Sequence, residues 1–155
     1  MLDKMFPLYA AIIACVFAQM LKPVCYWIIH RKWNNYLFFA AGGMPSSHAA
    51  LVSSLCLAVG LQEKFSSTIF AITISFSLII CFDAANVRYY SGQNIRLTKH
   101  LIDDLVERGE IDLESDPVYT QKMKEVLGHT YLEVFGGIIV GLITSYAYYL
   151  LFTIR

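Results

Sequence analysis

Lys22, His48, Asp83, Arg88 and His129 are the residues that an apolar chain has least reason to carry. Ser46 and Ser47 immediately precede His48, Lys124 stands five residues before His129, and Glu133 follows that histidine four residues later. This inventory suits a phosphate monoester. Lys22, Arg88 and Lys124 can neutralise phosphoryl oxygens, while Ser46, Ser47 and the unpaired N–H groups of a helix start offer an anion site. Of the two imidazoles, one can attack phosphorus and the other can protonate the leaving oxygen, with Glu133 holding an imidazole in the required tautomer. Asp83, five residues before Arg88, can support the site or pair with that arginine.

Such chemistry requires elements that bring these positions together, and composition says where those elements lie. Of 155 residues 57% are hydrophobic, and mean hydropathy is +0.53, far above the soluble range. The chain is expected to be one membrane domain over residues 1–155. Twelve basic residues balance twelve acidic ones, so no general pull toward nucleic acid is implied. Cys15, Cys25, Cys56 and Cys81 lie inside apolar runs without C-x-x-C or His-flanked spacing, and read as buried apolar residues rather than metal ligands. The first apolar run lacks an A-x-A-like cleavage site and should stay as a membrane helix.

Four runs, residues 6–29, 46–62, 66–87 and 133–154, are apolar and long enough to consider as spans, which predicts an all-α integral membrane bundle. The second is short for a bilayer that needs about 20 residues; its start, residues 45–48, would then be recessed in a pocket walled by other helices. In the fourth, Gly136, Gly137 and Gly141 give a small-residue face for close packing. Trp33, Tyr36, Phe38 and Phe39 mark an interfacial stretch before Gly42-Gly43, and this segment allows a re-entrant element. In the polar loop 88–130, Leu97, Leu101, Ile102, Leu105 and Val106 recur at helical spacing opposite Asp103, Asp104 and Glu107, predicting an amphipathic helix at the membrane surface. A second short helix should start at Asp116-Pro117 and stop near Gly128. Threading four spans back and forth puts Lys22, residues 45–48, Asp83, Arg88, His129 and Glu133 on one membrane face. Ionisable groups at that depth are costly unless paired, so their convergence is a site expectation in itself.

Three segments then resemble a known family: Gly42-Gly43-Met44-Pro45-Ser46-Ser47-His48, residues 83–88, and Gly128-His129-Thr130-Tyr131-Leu132-Glu133-Val134. They look like the divergent branch of the type-2 phosphatidic acid phosphatases, relatives of vanadium haloperoxidases. The resemblance implies a metal-independent phosphohistidine mechanism with no cofactor, in which His129 is the nucleophile, Glu133 orients it and His48 is the general acid. The chain departs from the broad superfamily in four places. At the motif distance from Lys22 stands Ile29, with Arg31 the nearest arginine; Ser47 replaces a glycine; Met123, between Lys122 and Lys124, occupies the place of an arginine; and Glu133 stands where aspartate is usual. Phosphate binding therefore has to be reassigned to Arg88 or Lys124, with Arg88 preferred.

Each residue also has a plain structural reading. Thr130-Tyr131-Leu132-Glu133 is a capping box, Ser46 or Ser47 an N-cap, and Pro45 a helix-start signal. His48 can be a neutral histidine satisfied by a carbonyl, and Lys22 can snorkel toward headgroups. Their joint occurrence on one face favours a site. The function expected is hydrolysis of a lipid phosphomonoester such as phosphatidylglycerophosphate or phosphatidic acid, with the bilayer as the other partner. The alternatives are a polyprenyl (di)phosphate phosphatase and a non-enzymatic transport or assembly protein. A continuous ion route would need polar residues through the bilayer, and Ser53, Ser54, Thr144 and Ser145 offer only hydroxyls. Eight Lys and Arg residues lie in the site-face loops against Lys4, Lys64 and Arg155 opposite, so positive-inside predicts an inner or plasma membrane protein with its site facing the cytoplasm.

Overall fold

A computed structural model describes residues 4–40, 42–109 and 130–153. The described residues form an all-α bundle: α1 (Phe6–His30), a 3-10 helix (Asn35–Phe38), α2 (Ser47–Glu63), α3 (Thr68–Ala85), α4 (Val87–Glu107) and α5 (Tyr131–Thr153). Three helical runs, Phe6–His30, Thr68–Glu107 and Tyr131–Thr153, each contain a stretch long and apolar enough to cross a membrane. Helix α2, at 17 residues, measures only about 25 Å against a hydrocarbon core of about 30 Å.

That short helix is the centre of the bundle. It packs on α1, α3 and α5, whereas α1 and α3 do not touch among the described residues. Small side chains allow this, since Ala49, Ala50, Ala58 and Gly60 are buried on α2, and Ala10, Ala14 and Ala18 on α1. In a bilayer the hydrophobic effect gives helices no reason to associate, so close backbone approach and interhelical hydrogen bonds have to hold them. Both are present. A Cβ on Gly137 would run into the carbonyl oxygen of Ser46 and one on Gly141 into that of Ala50, so α5 lies directly on the α2 backbone. Ser145 Oγ donates to the Ser54 carbonyl (3.0 Å), Ser53 Oγ lies 3.3 Å from the Ile138 carbonyl, and Ser77 Oγ ties α3 to the Val52 carbonyl (3.2 Å). At the far end Phe6 stacks on Tyr148 with ring centroids 5.5 Å apart and packs against Ala10 and Ala58, which joins the start of α1 to the end of α5.

Two segments differ from a plain up-and-down bundle. After α1 the chain turns back, and the carbonyls of Phe38 and Ala40 reach Gln19 at 2.8 and 3.2 Å. Gln19 lies eleven residues before the end of α1, about 16 Å along its axis, so residues 37–40 re-enter beside the helix. Helix α4 begins at Val87, ten residues before the apolar periodicity at Leu97. Residues 87–96 contain no proline, and extending α3 past Asn86 costs less than nucleating a new helix. The junction is bent at Asn86, whose φ of −115° and ψ of −69° depart from helical values. Leu97 and Leu101 stay exposed on the apolar face of α4, as an amphipathic surface helix requires. The short helix expected from Asp116 to Gly128 lies outside the described residues.

Candidate functional site

Lys22 sits in α1 two turns before its end, and it is 1% exposed. Its stem runs under the re-entrant segment, where a Cβ on Gly43 would lie 3.9 Å from its Cδ, and Nζ donates to the Ala40 carbonyl at 3.0 Å. Gly43 has φ +94°, a conformation that L side chains rarely adopt, so this turn over Lys22 requires glycine. Lys22 is therefore packed inward and does not snorkel.

The same turn delivers the start of α2. Pro45, Ser46 and Ser47 are buried, and the Met44-Pro45 peptide is cis. Ser46 is the N-cap, its Oγ accepting from the Ala49 amide at 3.4 Å. Its own amide donates to the carbonyl of Glu133 at 2.9 Å, which fastens the start of α2 to the first turn of α5. Ser46 thus serves as a cap, and its burial at the head of a helix places the backbone N–H groups of the first turn at the recessed end of the bundle. His48, the second residue of α2, is exposed, so it stands at the rim of this region.

Glu133 closes the capping box that its sequence spells. Oε2 accepts from the Thr130 amide at 3.0 Å, and the Glu133 amide donates to Thr130 Oγ1 at 3.4 Å. The carboxylate is half-buried and lies within electrostatic range of Lys22, so α1 and α5 present opposite charges to one another at this end. Asn86 supplies the third tie, its Oδ1 accepting from the Tyr131 hydroxyl at 2.7 Å, which binds the α3–α4 junction to the start of α5.

The end of α1, the start of α2, the junction after α3 and the start of α5 therefore meet. Lys22, Ser46, Ser47 and Glu133 are brought together. Asp83 is half-buried on α3, roughly 200° around the helix from Cys81 and so off the stripe of Ser77, Cys81 and Ala84 that faces the bundle. The backbone of Arg88 is the second residue of α4, two positions beyond Asn86. His129 and Lys124 lie outside the described residues. Among the described residues no group of three or more His, Cys, Asp and Glu side chains is placed to hold a metal ion.

Three positioning residues escape a reading of sequence alone. Gln19 looks like one polar residue in an apolar run, yet its amide gathers the carbonyls of residues 37, 38 and 40. The signal is its place three residues before Lys22, on the same helix face. Asn86 and Tyr131 gave no such signal, because their bond joins positions 45 residues apart.

Comparison with known proteins agrees with this architecture. The chain is 34% identical over 144 residues, 90% of its own length and 91% of the relative's, to the uncharacterized membrane protein YuiD of Bacillus subtilis (strain 168). No solved structure matches significantly. The Divergent PAP2 family profile matches residues 4–144, and the chain is a membrane protein belonging to that family.

Proposed function

We propose that this protein is a lipid-phosphate phosphatase that hydrolyses a phosphomonoester such as phosphatidylglycerophosphate or phosphatidic acid through a phosphohistidine. The observation that carries the reading is the joint at one end of the bundle. There a buried lysine, the head of the recessed helix α2 and a carboxylate at the first turn of α5 come together, within a family related to phosphatidic acid phosphatases. Lys22 and the N–H groups at the start of α2 hold phosphoryl oxygens. Arg88 is the preferred second cation, because the Asn86–Tyr131 bond keeps its backbone beside the turn that carries Glu133. Asp83 supports that junction, and Lys124 is the other cation available.

In the reaction an imidazole nitrogen of His129 attacks phosphorus while the bond from phosphorus to the lipid oxygen breaks. His48 gives its proton to that oxygen, and Glu133 accepts the other N–H of His129, keeping the attacking nitrogen unprotonated. Water, deprotonated by the now neutral His48, then attacks phosphorus and releases inorganic phosphate. The exposure of His48 suits this shuttling, since its imidazole is open to exchange protons with water. The excess of Lys and Arg in the loops of the site face supports a cytoplasmic orientation for it.

Phosphate release from a panel of lipid phosphates by purified protein tests the reading. We expect hydrolysis by the wild type, none by His129→Ala, and a loss of about 10²–10⁴-fold in His48→Ala. Full activity in His129→Ala would reject the mechanism, and no release from any lipid phosphate would reject the enzyme.

A further inference from the structure

A second feature sits below the site. Between α2, α3 and α5 lies a cleft of about 320 Å³, within the size range of ligand pockets. Cys56 of α2, Ile74, Leu78 and Cys81 of α3, and Ile138 and Leu142 of α5 line it. Two serines also border it, but neither makes it polar. Ser53 turns its hydroxyl to the carbonyls of Ala50 and Ile138, and Ser77 to those of Thr73 and Val52.

The cleft has two unlike ends. At one, Cys81 and Ile138 pack against Ala49, Ala84, Ala85 and Val134, and Val134 directly follows Glu133. At the other, the Phe65 ring lies on Gly60 and meets Phe70 edge-on with centroids 5.2 Å apart, forming an aromatic floor. From Phe70 to Cys81 is about 16 Å of helix, the length of roughly thirteen carbons of an extended chain. An apolar trough open to the lipid on one side, starting one residue from Glu133 and running about the length of an acyl chain, matches the tail of an amphiphile whose phosphate lies at that joint.

We infer that this cleft binds one acyl chain of the lipid phosphate whose headgroup occupies the Lys22–Ser46–Glu133 joint, an assignment that rests on the reading proposed above. The hydrophobic effect does not drive this binding, because the tail leaves one apolar medium for another. Occupancy is instead set by the anchoring of the phosphate, which makes it selective for headgroup. A bilayer lipid without an exposed phosphomonoester lacks that anchor and does not compete.

The test uses full-length protein in phosphatidylcholine nanodiscs with trace phosphatidic acid that carries a diazirine near carbon twelve of one chain. After photolysis, adducts are mapped by mass spectrometry, and phosphate release from unlabelled phosphatidic acid is measured in parallel. Adducts are expected on Phe70, Ile74 and Leu142, toward the aromatic end of the cleft, falling at least fivefold with excess unlabelled phosphatidic acid and unchanged by extra phosphatidylcholine bearing the same tails. Leu142→Trp and Ile74→Trp, each filling the cleft from a position partly open to lipid, should each lose these adducts. Adducts confined to outward-facing residues such as Ile79 and Phe135, or displaced equally by phosphatidylcholine, would overturn the assignment. Cleft adducts without phosphate release reject hydrolysis and keep the cleft. Phosphate release without cleft adducts does the reverse.

Discussion

Glu133 is where a structural role and the proposed chemical one meet in a single side chain. It caps α5 through Oε2, and it lies within electrostatic range of a buried lysine. Glutamine separates the two roles, since it accepts the same capping bond without the charge. If Glu133 orients His129 as proposed, Glu133→Gln should keep its melting temperature in detergent and lose about 10²-fold or more in kcat. Unchanged kcat would reduce Glu133 to a cap. The capping box and the N-cap at Ser46 were legible in the sequence because they are local, fixed by three-residue spacings. Lys22 was legible as an ionisable group at membrane depth, but its choice between snorkelling and burial was not. That choice depends on residues 37–40 and Gly43 lying over it, which no spacing within α1 encodes.

Among the elements, α2 decides the geometry. Its shortness and its small residues were visible in sequence, and they allow α5 to lie against its backbone. The structure also distinguishes three glycines that looked equivalent. A methyl on Gly136 would meet the flexible tip of Met44 at 3.1 Å, whereas one on Gly137 would meet the Ser46 carbonyl and Ala49 Cβ. Gly137→Ala should therefore lower stability by about 1–3 kcal/mol, the cost of overpacking, and Gly136→Ala should be nearly neutral. Thermal unfolding of the two variants in the same detergent checks this, and equal midpoints would contradict the packing described here. The four apolar helices α1, α2, α3 and α5 were read from their apolar runs, each of which carries its own signal. The start of α4 was not, because residues 87–96 are polar and aperiodic, and they become helical by continuation from α3.

For the whole molecule, the threading of helices places one polar end against one apolar end. The excess of Lys and Arg in the site-face loops predicts that this polar end faces the cytoplasm. Single cysteines at Glu110 and Lys64, in a background without native cysteines, should report it: an impermeant thiol reagent on intact cells is expected to label Lys64→Cys and spare Glu110→Cys. The reverse pattern would invert the protein. The central claim is that the polar end transfers a phosphoryl group to a histidine, and chemical trapping reads that step directly. Rapid quenching of the wild type with radiolabelled phosphatidic acid should give an acid-labile, alkali-stable phosphoprotein that mass spectrometry maps to His129. Label on any other residue, or lipid hydrolysis with no phosphoprotein at any quench time, would contradict it.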